Sequence, residues 1–328
     1  LATSSPPSII SDYRVAAELL RQGRLVAFPT ETVYGLGADA TNAIAVSQIF
    51  EAKQRPTFDP LIVHIAEFSQ LEMVVQHVSQ TARQLMDAFW PGPLTLVLPK
   101  RPVIPDLVTS GLPGVGIRMP AHPLALQLLR EAGCPVAAPS ANPFGGISPT
   151  TAQHVADGLG NRVHCILDGG PCSVGVESTV VSLMGSAPIV LRPGGCPVEE
   201  IEKIIGPVAQ AVSDPSLDDA AQPSPGMLSR HYAPGTPLSL VCRNEVARPA
   251  PGLRCGLLTY GNQAFAGEFE RIERLCAAED LQTCAAGFFA TLRSLDSSGL
   301  DVIIAHKFPQ HGLGIALNDR LTRAACRE

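Results

Sequence analysis

The chain has 328 residues, 45% of them apolar and 16% charged, with a formal net charge of -6. That length exceeds one ordinary domain and suits two, and the apolar content excludes wholesale disorder. The acidic balance argues against the broad basic surface of a dedicated nucleic-acid binder.

The spacing of Val15, Ala16, Leu19 and Leu20 predicts a helix over 12–22, stopped by Gly23. A short apolar strand over 25–28 runs into Pro29 and Thr30. Helical periodicity returns over 42–54 through Ile44, Val46, Ile49 and Phe50, with Thr41 as its expected cap. Lys53 and Arg55 then stand at a helix end, and 61–65 reads as a buried strand. The alternation continues with a helix over 81–89, strands over 94–98 and 115–119, and a helix over 123–131 ended by Gly133. A strand over 136–138 feeds the loop 139–146, Ser148 caps the next helix, and strands follow over 163–167, 179–183 and 189–191. Strands and helices punctuated by Pro and Gly indicate an α/β fold built on a mixed sheet.

Between 207 and 237 the composition changes, and 214–225 lacks apolar periodicity, as a linker does. Strands over 238–241, 255–259 and 301–305, with helices over 281–295 and 317–325, make a second α/β domain of roughly 90 residues, low in the normal range. The expected division is 1–206, a linker 207–236, and 237–328. Nine cysteines show no CxxC pair and no zinc-ligand spacing, so reduced thiols and a cytoplasmic location are expected. No apolar run is long enough to span a membrane. No charged segment leads into an apolar one near the N-terminus, so no signal peptide is expected.

Several polar residues interrupt this apolar chain. Lys53 and Arg55 are either a solvated pair or a clamp for a polyphosphate, whose charge needs neutralising during transfer at phosphorus. Ser140 and Asn142 either shape a turn or contact a phosphate or adenylate. Arg118, inside an apolar strand, needs either a structural acid or a ligand carboxylate. His64 is either a satisfied core histidine or a ligand contact, and Arg192 precedes either a plain turn or a phosphate site. The acids Glu31, Asp59, Asp168 and Glu177 are too dispersed to read as a catalytic pair. There is no GxxxxGK[ST] loop, GxSxG elbow or GxGxxG turn, so the common nucleotide-hydrolysing, hydrolase and dinucleotide-binding motifs are absent.

In order, Pro29-Thr-Glu-Thr-Val-Tyr-Gly-Leu-Gly37, Lys53-x-Arg55-Pro56, Pro60-Leu-Ile-Val-His64, Pro91-Gly-Pro-Leu-Thr95, Val115-Gly-Ile-Arg118, Pro139-Ser-Ala-Asn142 and Arg192-Pro-Gly194 resemble the YrdC domain. Ser229-Arg-His-Tyr-Ala-Pro234, Leu292-Arg-Ser-Leu-Asp296 and Gly312-Leu-Gly-Ile-Ala-Leu-Asn-Asp-Arg-Leu-Thr-Arg-Ala-Ala325 resemble the linker and second domain of its long Sua5 form. The resemblance to the YrdC/Sua5 family implies an open, twisted mixed sheet with flanking helices around a basic cavity, followed by a smaller Rossmann-like α/β domain. It implies a nucleotidyltransferase that makes L-threonylcarbamoyl-AMP and pyrophosphate from L-threonine, bicarbonate and ATP. The product would feed a tRNA threonylcarbamoyl transferase, with transient tRNA contact and no membrane.

By the same resemblance, Lys53 and Arg55 would be catalytic, stabilising phosphate charge. Arg55, Asp59, Ser140, Asn142, Ser148, Arg192 and Tyr232 would bind ATP, and Thr32, His64, Arg118 and Ser178 would bind L-threonine. Tyr232 would sit on a lid over 225–234. Mg²⁺ would come with the triphosphate, held by phosphate oxygens and not by protein ligands. Asp59 departs from the family, which usually has Asn there. A hydrogenase-maturation carbamoyltransferase would add an acylphosphatase module and Cys-rich fingers that this sequence lacks, and a non-catalytic RNA-binding module sits poorly with the net charge.

Overall fold

The computed structural model describes residues 7–211 and 221–326, so 212–220 of the predicted linker lie outside the described residues. The chain begins with β1 (Ser8–Ile10), α1 (Tyr13–Arg21), β2 (Val26–Phe28), β3 (Gly35–Asp39), α2 (Ala43–Lys53), β4 (Ile62–His64), α3 (Phe68–Val74) and α4 (Gln80–Phe89). It continues through β5 (Leu94–Pro99), α5 (Asp106–Thr109), β6 (Gly114–Arg118), α6 (Pro123–Ala132), β7 (Val136–Ala137), α7 (Ala152–Leu159), β8 (Cys165–Leu167), β9 (Thr179–Ser182), β10 (Ile189–Arg192), α8 (Val198–Ile205) and β11 (Ala209–Gln210). Past the linker come β12 (Leu238–Val241), β13 (Cys255–Thr259), β14 (Arg271–Arg274), α9 (Leu281–Asp296), β15 (Val302–His306) and α10 (Leu313–Ala325).

Two caps differ from expectation. Asn42, not Thr41, caps α2 by accepting from the Ile44 and Ala45 amides. Thr41 is drawn back instead, its hydroxyl donating to Asp39 Oδ1 at 2.7 Å. α7 starts at Ala152 under a Thr151 cap, and the Ser148 hydroxyl is spent on Glu177.

The first eleven strands form one mixed sheet in the order β1-β8-β2-β3-β7-β4-β6-β5-β9-β10-β11. Strand alternation decides what each face receives. Val63, Val115, Ile117, Leu94, Leu96 and Leu98 point into the main core with residues of α2, α4, α7 and α8. On the opposite face α1 and α6 cover Val26, Phe28, Val136 and Leu167. Farther along that face, Ile62, His64 and Arg118 face a cavity roofed by Pro225, Gly226 and Tyr232, and Thr95, Val97 and Val180 lie beneath Pro223 and Ser224.

The last four strands make an all-parallel sheet, β12-β15-β13-β14. β13 and β15 are buried along their length, which explains their unbroken apolar character. The observed class is therefore the expected one: a large mixed sheet with flanking helices, plus a smaller Rossmann-like unit. The cores of the two are continuous, because Val33, Ile147 and Val176 join Phe288, Phe289 and Leu317 in one cluster.

Gly175 lies at this junction with φ of +79°, where a Cβ would overlap the Ala285 carbonyl and Ala286 of α9. Gly175→Ala combines backbone strain with overpacking. It is expected to cost about 3 kcal/mol in denaturant unfolding; unchanged stability would mean that the two units are not tightly docked there.

Candidate active site

The cavity forms where β4 and β6 run parallel with His64 and Arg118 in register. Arg118 is 4% exposed and is approached from three sides. Its Nη2 lies 2.7 Å from Glu31 Oε1, its Nη1 donates to Thr32 Oγ1 at 2.8 Å, and its Nε donates to the Gly92 carbonyl at 3.2 Å. Glu31 is tied down in turn by the Ala121 amide at 3.0 Å. Thr32, His64, Arg118 and Ser178 thus line one side of a single cavity. Arg55, Ser140, Arg192 and Tyr232 line the same cavity.

Ser178 and Arg192 join the two groups. Arg192 donates to the Ser178 carbonyl through Nη2 at 2.9 Å and to its hydroxyl at 3.3 Å, while Nη1 reaches the Pro225 carbonyl at 2.9 Å. The Ser178 hydroxyl also meets Thr95 Oγ1 at 2.8 Å.

The remaining predicted residues stand behind the lining. Lys53, 1% exposed, donates from Nζ to the carbonyls of Ser140 at 2.6 Å and Asn142 at 2.5 Å. It therefore holds the turn that presents Ser140. The Asn142 amide donates to the Pro143 and Gly146 carbonyls, closing the same loop on itself. Asp59 is fully buried, with Oδ2 2.8 Å from Arg55 Nη2. The Arg55 Nε and Nη2 are further fixed by the Asp59 and Pro60 carbonyls. Ser148 donates to Glu177 Oε1.

Three participants were not singled out by the sequence. Glu177, which has no role on sequence grounds, lines the cavity and pairs with Arg320 of α10 at 2.9 Å. His231 lines it beside Tyr232, with ring centroids 4.1 Å apart. Glu31 neutralises Arg118. For the two acids a signal existed, an acid directly before a cavity residue: Glu31 precedes Thr32 and Glu177 precedes Ser178.

Burial sets the protonation states. It pushes His64 down to about 3, with Arg118 adding to the effect. Burial, then the surrounding cations of Arg55, Lys53, Arg192 and Arg320, pushes His231 well below its usual range. Burial also lowers Lys53 well below an ordinary lysine, reinforced by Arg55 and opposed by Asp59. Burial raises Asp59 against the pull of Arg55. The site therefore holds neutral imidazoles among guanidinium groups partly offset by three carboxylates. Such an arrangement favours an anionic ligand.

Residues 18–194 match the Sua5/YciO/YrdC family, described as "Telomere recombination". Residues 196–326 match the family described as "Threonylcarbamoyl-AMP synthase, C-terminal domain". A threonylcarbamoyl-AMP synthase of Pyrococcus abyssi is 46% identical over 95% of this chain and 93% of its own. One from Bacillus subtilis is 48% identical over 94% and 92%. The crystal structure of P. abyssi Sua5 complexed with L-threonine superimposes with a TM-score of 0.87 at 42% identity, over 95% of this chain and 94% of that one.

The depressed His64 has a consequence for stability. Between its unfolded value near 6.5 and its folded value near 3, the unfolded chain binds the extra proton, so stability falls as pH falls through that window. His64→Gln removes this contribution. Between pH 6.5 and 4.5 the variant should lose about 2 kcal/mol less than the parent in chemical unfolding, because each full pH unit inside the window costs the parent ~1.4 kcal/mol. Parallel losses in the two proteins would show that His64 titrates normally.

Proposed function

The chain belongs to the Sua5/YrdC family, and we propose that it condenses L-threonine, bicarbonate and ATP into L-threonylcarbamoyl-AMP, pyrophosphate and water. The observation that carries this reading is the meeting of three guanidinium groups, Arg55, Arg118 and Arg192, with Thr32, Ser140 and Ser178 on one cavity. A small hydroxylated carboxylate and a polyphosphate together would satisfy that set. The activity accords with the relatives of similar length named as synthases. The 1–206 segment carries the chemistry in this reading, 207–236 is the linker and lid, and 237–328 supports them.

We assign Arg118 to the threonine carboxylate, where a planar fork suits bidentate contact. Thr32 and Ser178 orient the amino acid, and a neutral His64 leaves its amine uncrowded by further charge. The amine takes up bicarbonate-derived CO₂ to give a carbamate, whose oxygen attacks the α-phosphorus while pyrophosphate leaves. Bringing the two anions together requires charge neutralisation more than a protein nucleophile. Arg55, Arg192 and Ser140 serve the phosphates and Tyr232 closes over them.

Lys53, Asn142, Ser148 and Asp59 contribute indirectly in this assignment. Lys53 and Asn142 shape the Ser140 turn, Ser148 holds Glu177, and Asp59 aims Arg55. Mg²⁺ in this reading arrives with the triphosphate and is held by its phosphate oxygens. This synthesis would be the first step of N6-threonylcarbamoyladenosine formation in tRNA, its product passing to a transferase with at most brief tRNA contact. No described helix is long and apolar enough to cross a membrane, and nine free cysteines accord with the cytoplasm.

Pyrophosphate release by the purified protein should require threonine and bicarbonate together. Release independent of either would sink the reading. Arg118→Lys should raise the KM for threonine by about tenfold or more with little change for ATP. Lys53→Met should lower kcat by about tenfold, because two turn carbonyls lose their donor. A Lys53→Met enzyme at parental rate would remove the lysine from the machinery.

A further inference from the structure

The sequence motif over 312–325 has no part in the chemistry assigned above, yet its arginines reach the site. Arg320 has no exposed surface and is the largest fully buried side chain among the described residues. A buried guanidinium needs compensation from several sides. Here nearly all of it comes from neighbours of cavity residues. Nε donates to Glu177 Oε2 at 2.9 Å, immediately before Ser178. Nη1 donates to the Pro193 carbonyl at 2.9 Å, immediately after Arg192. The guanidinium carbon lies 5.0 Å from the centroid of the Tyr232 ring, a cation–π distance.

The rest of the helix turn grips the same segment. Asp319 bridges Arg320 and Arg323 at 2.6 and 2.9 Å. Arg323 Nη1 donates to the carbonyls of Met227 at 2.7 Å and Leu228 at 2.5 Å. Tyr232 itself has φ of 61°, an uncommon conformation for a bulky residue. Its hydroxyl has no hydrogen-bond partner in the structure, so ring contacts and Arg320 keep it in place. Gly194 completes the arrangement, since any Cβ there would overlap the backbone of Glu177 and Ser178.

We propose that Arg320 is a positioning residue of the adenylating site: from the second unit it fixes Tyr232 and Arg192 at the nucleotide end of the cavity and Ser178 where the two groups meet. The inference rests on the proposed function for what the cavity binds, but not for the mechanics of the segment. The second unit is thereby part of the active site and not an appended module. The competing account is a purely structural bridge between units, which would change melting temperature without changing how ATP is held or how tightly 221–236 is closed at working temperature.

The full-length Arg320→Met protein separates these accounts. Amide hydrogen exchange over 221–236, read well below the melting temperature, should speed up by about tenfold, and the KM for ATP should rise by about tenfold with a smaller change in kcat. The Arg320→Met/Tyr232→Ala protein should lose less for ATP than the sum of the two single losses, because the two share the Tyr232 contact. Unchanged exchange and KM in folded Arg320→Met, or costs that add fully in the double variant, overturn the proposal. Should the Met variant fail to fold, Arg320→Lys decides: it keeps a charge for Glu177 but loses the fork. Parental exchange and KM in the Lys variant also overturn the proposal. The exchange measurement needs no turnover, so a parent protein that makes no adenylate would sink the functional reading while Arg320 was still judged on 221–236.

Discussion

The Glu177–Arg320 pair is the interaction around which the molecule is arranged. Removing one partner of a buried ion pair typically costs ~3–5 kcal/mol, because the other charge is left uncompensated. The two partners lie 143 residues apart, so the pair forms only when both units are folded and docked. Glu177 spends its second oxygen on Ser148, which ties the start of the α7 region to the same point. The shared apolar cluster of Val33, Val176, Phe288 and Phe289 packs the same junction, with Val176 directly before Glu177 in the chain. Docking, cavity shape and the position of Tyr232 are then one structural event.

Strand alternation explains why a cavity exists at all. β4 and β6 send Val63, Val115 and Ile117 to the helix-covered core. The same period leaves His64 and Arg118 on the opposite face, beyond the cover of α1 and α6. Charged groups on a partly covered face must be neutralised locally or by ligand. Glu31 does so for Arg118 and Asp59 for Arg55. Asp59 is the counter-charge that sets the angle of Arg55, a role an amide could fill only by hydrogen bonding.

Most of the helices and strands were legible because their periodicity and stops are local, whereas α3 and α5 were not anticipated. Asp12 caps α1, and Gly133 ends α6 in the left-handed region. The missed strands have physical reasons. β3 carries two glycines within five residues; Gly37 is squeezed between Phe28 and Val136, so close packing replaces the side chain that would signal a strand. β14 is a largely exposed edge strand of Arg-Ile-Glu-Arg, whose charges suit an edge and hide its periodicity. In the site, polar residues inside apolar strands stood out, as Arg118 and His64 do. Glu177 and Arg320 did not, because the two that pair stand 143 residues apart in the chain. Lys53 was visible as a cation at a helix end, but that its ammonium faces two carbonyls depends on a loop about ninety residues away in chain terms.

The cavity between these groups is nearly full. It offers about 50 Å³ to the centres of water molecules, room for about four waters at ~10–15 Å³ each, far less than a nucleoside triphosphate occupies. Some of the roof must therefore withdraw before ATP enters. Residues 227–232 are held by buried, charge-assisted contacts from Arg320 and Arg323, and releasing them would disturb the pair that docks the two units. Residues 222–226 are held by contacts that include the Gln222 amide on the Phe58 carbonyl and Arg192 on the Pro225 carbonyl. Arg192 is itself one of the groups that a phosphate would claim, so an arriving anion competes for the guanidinium that keeps Pro225 down. Gly226, with φ of +77° and no room for a Cβ against Tyr232 and Arg192, joins the two stretches.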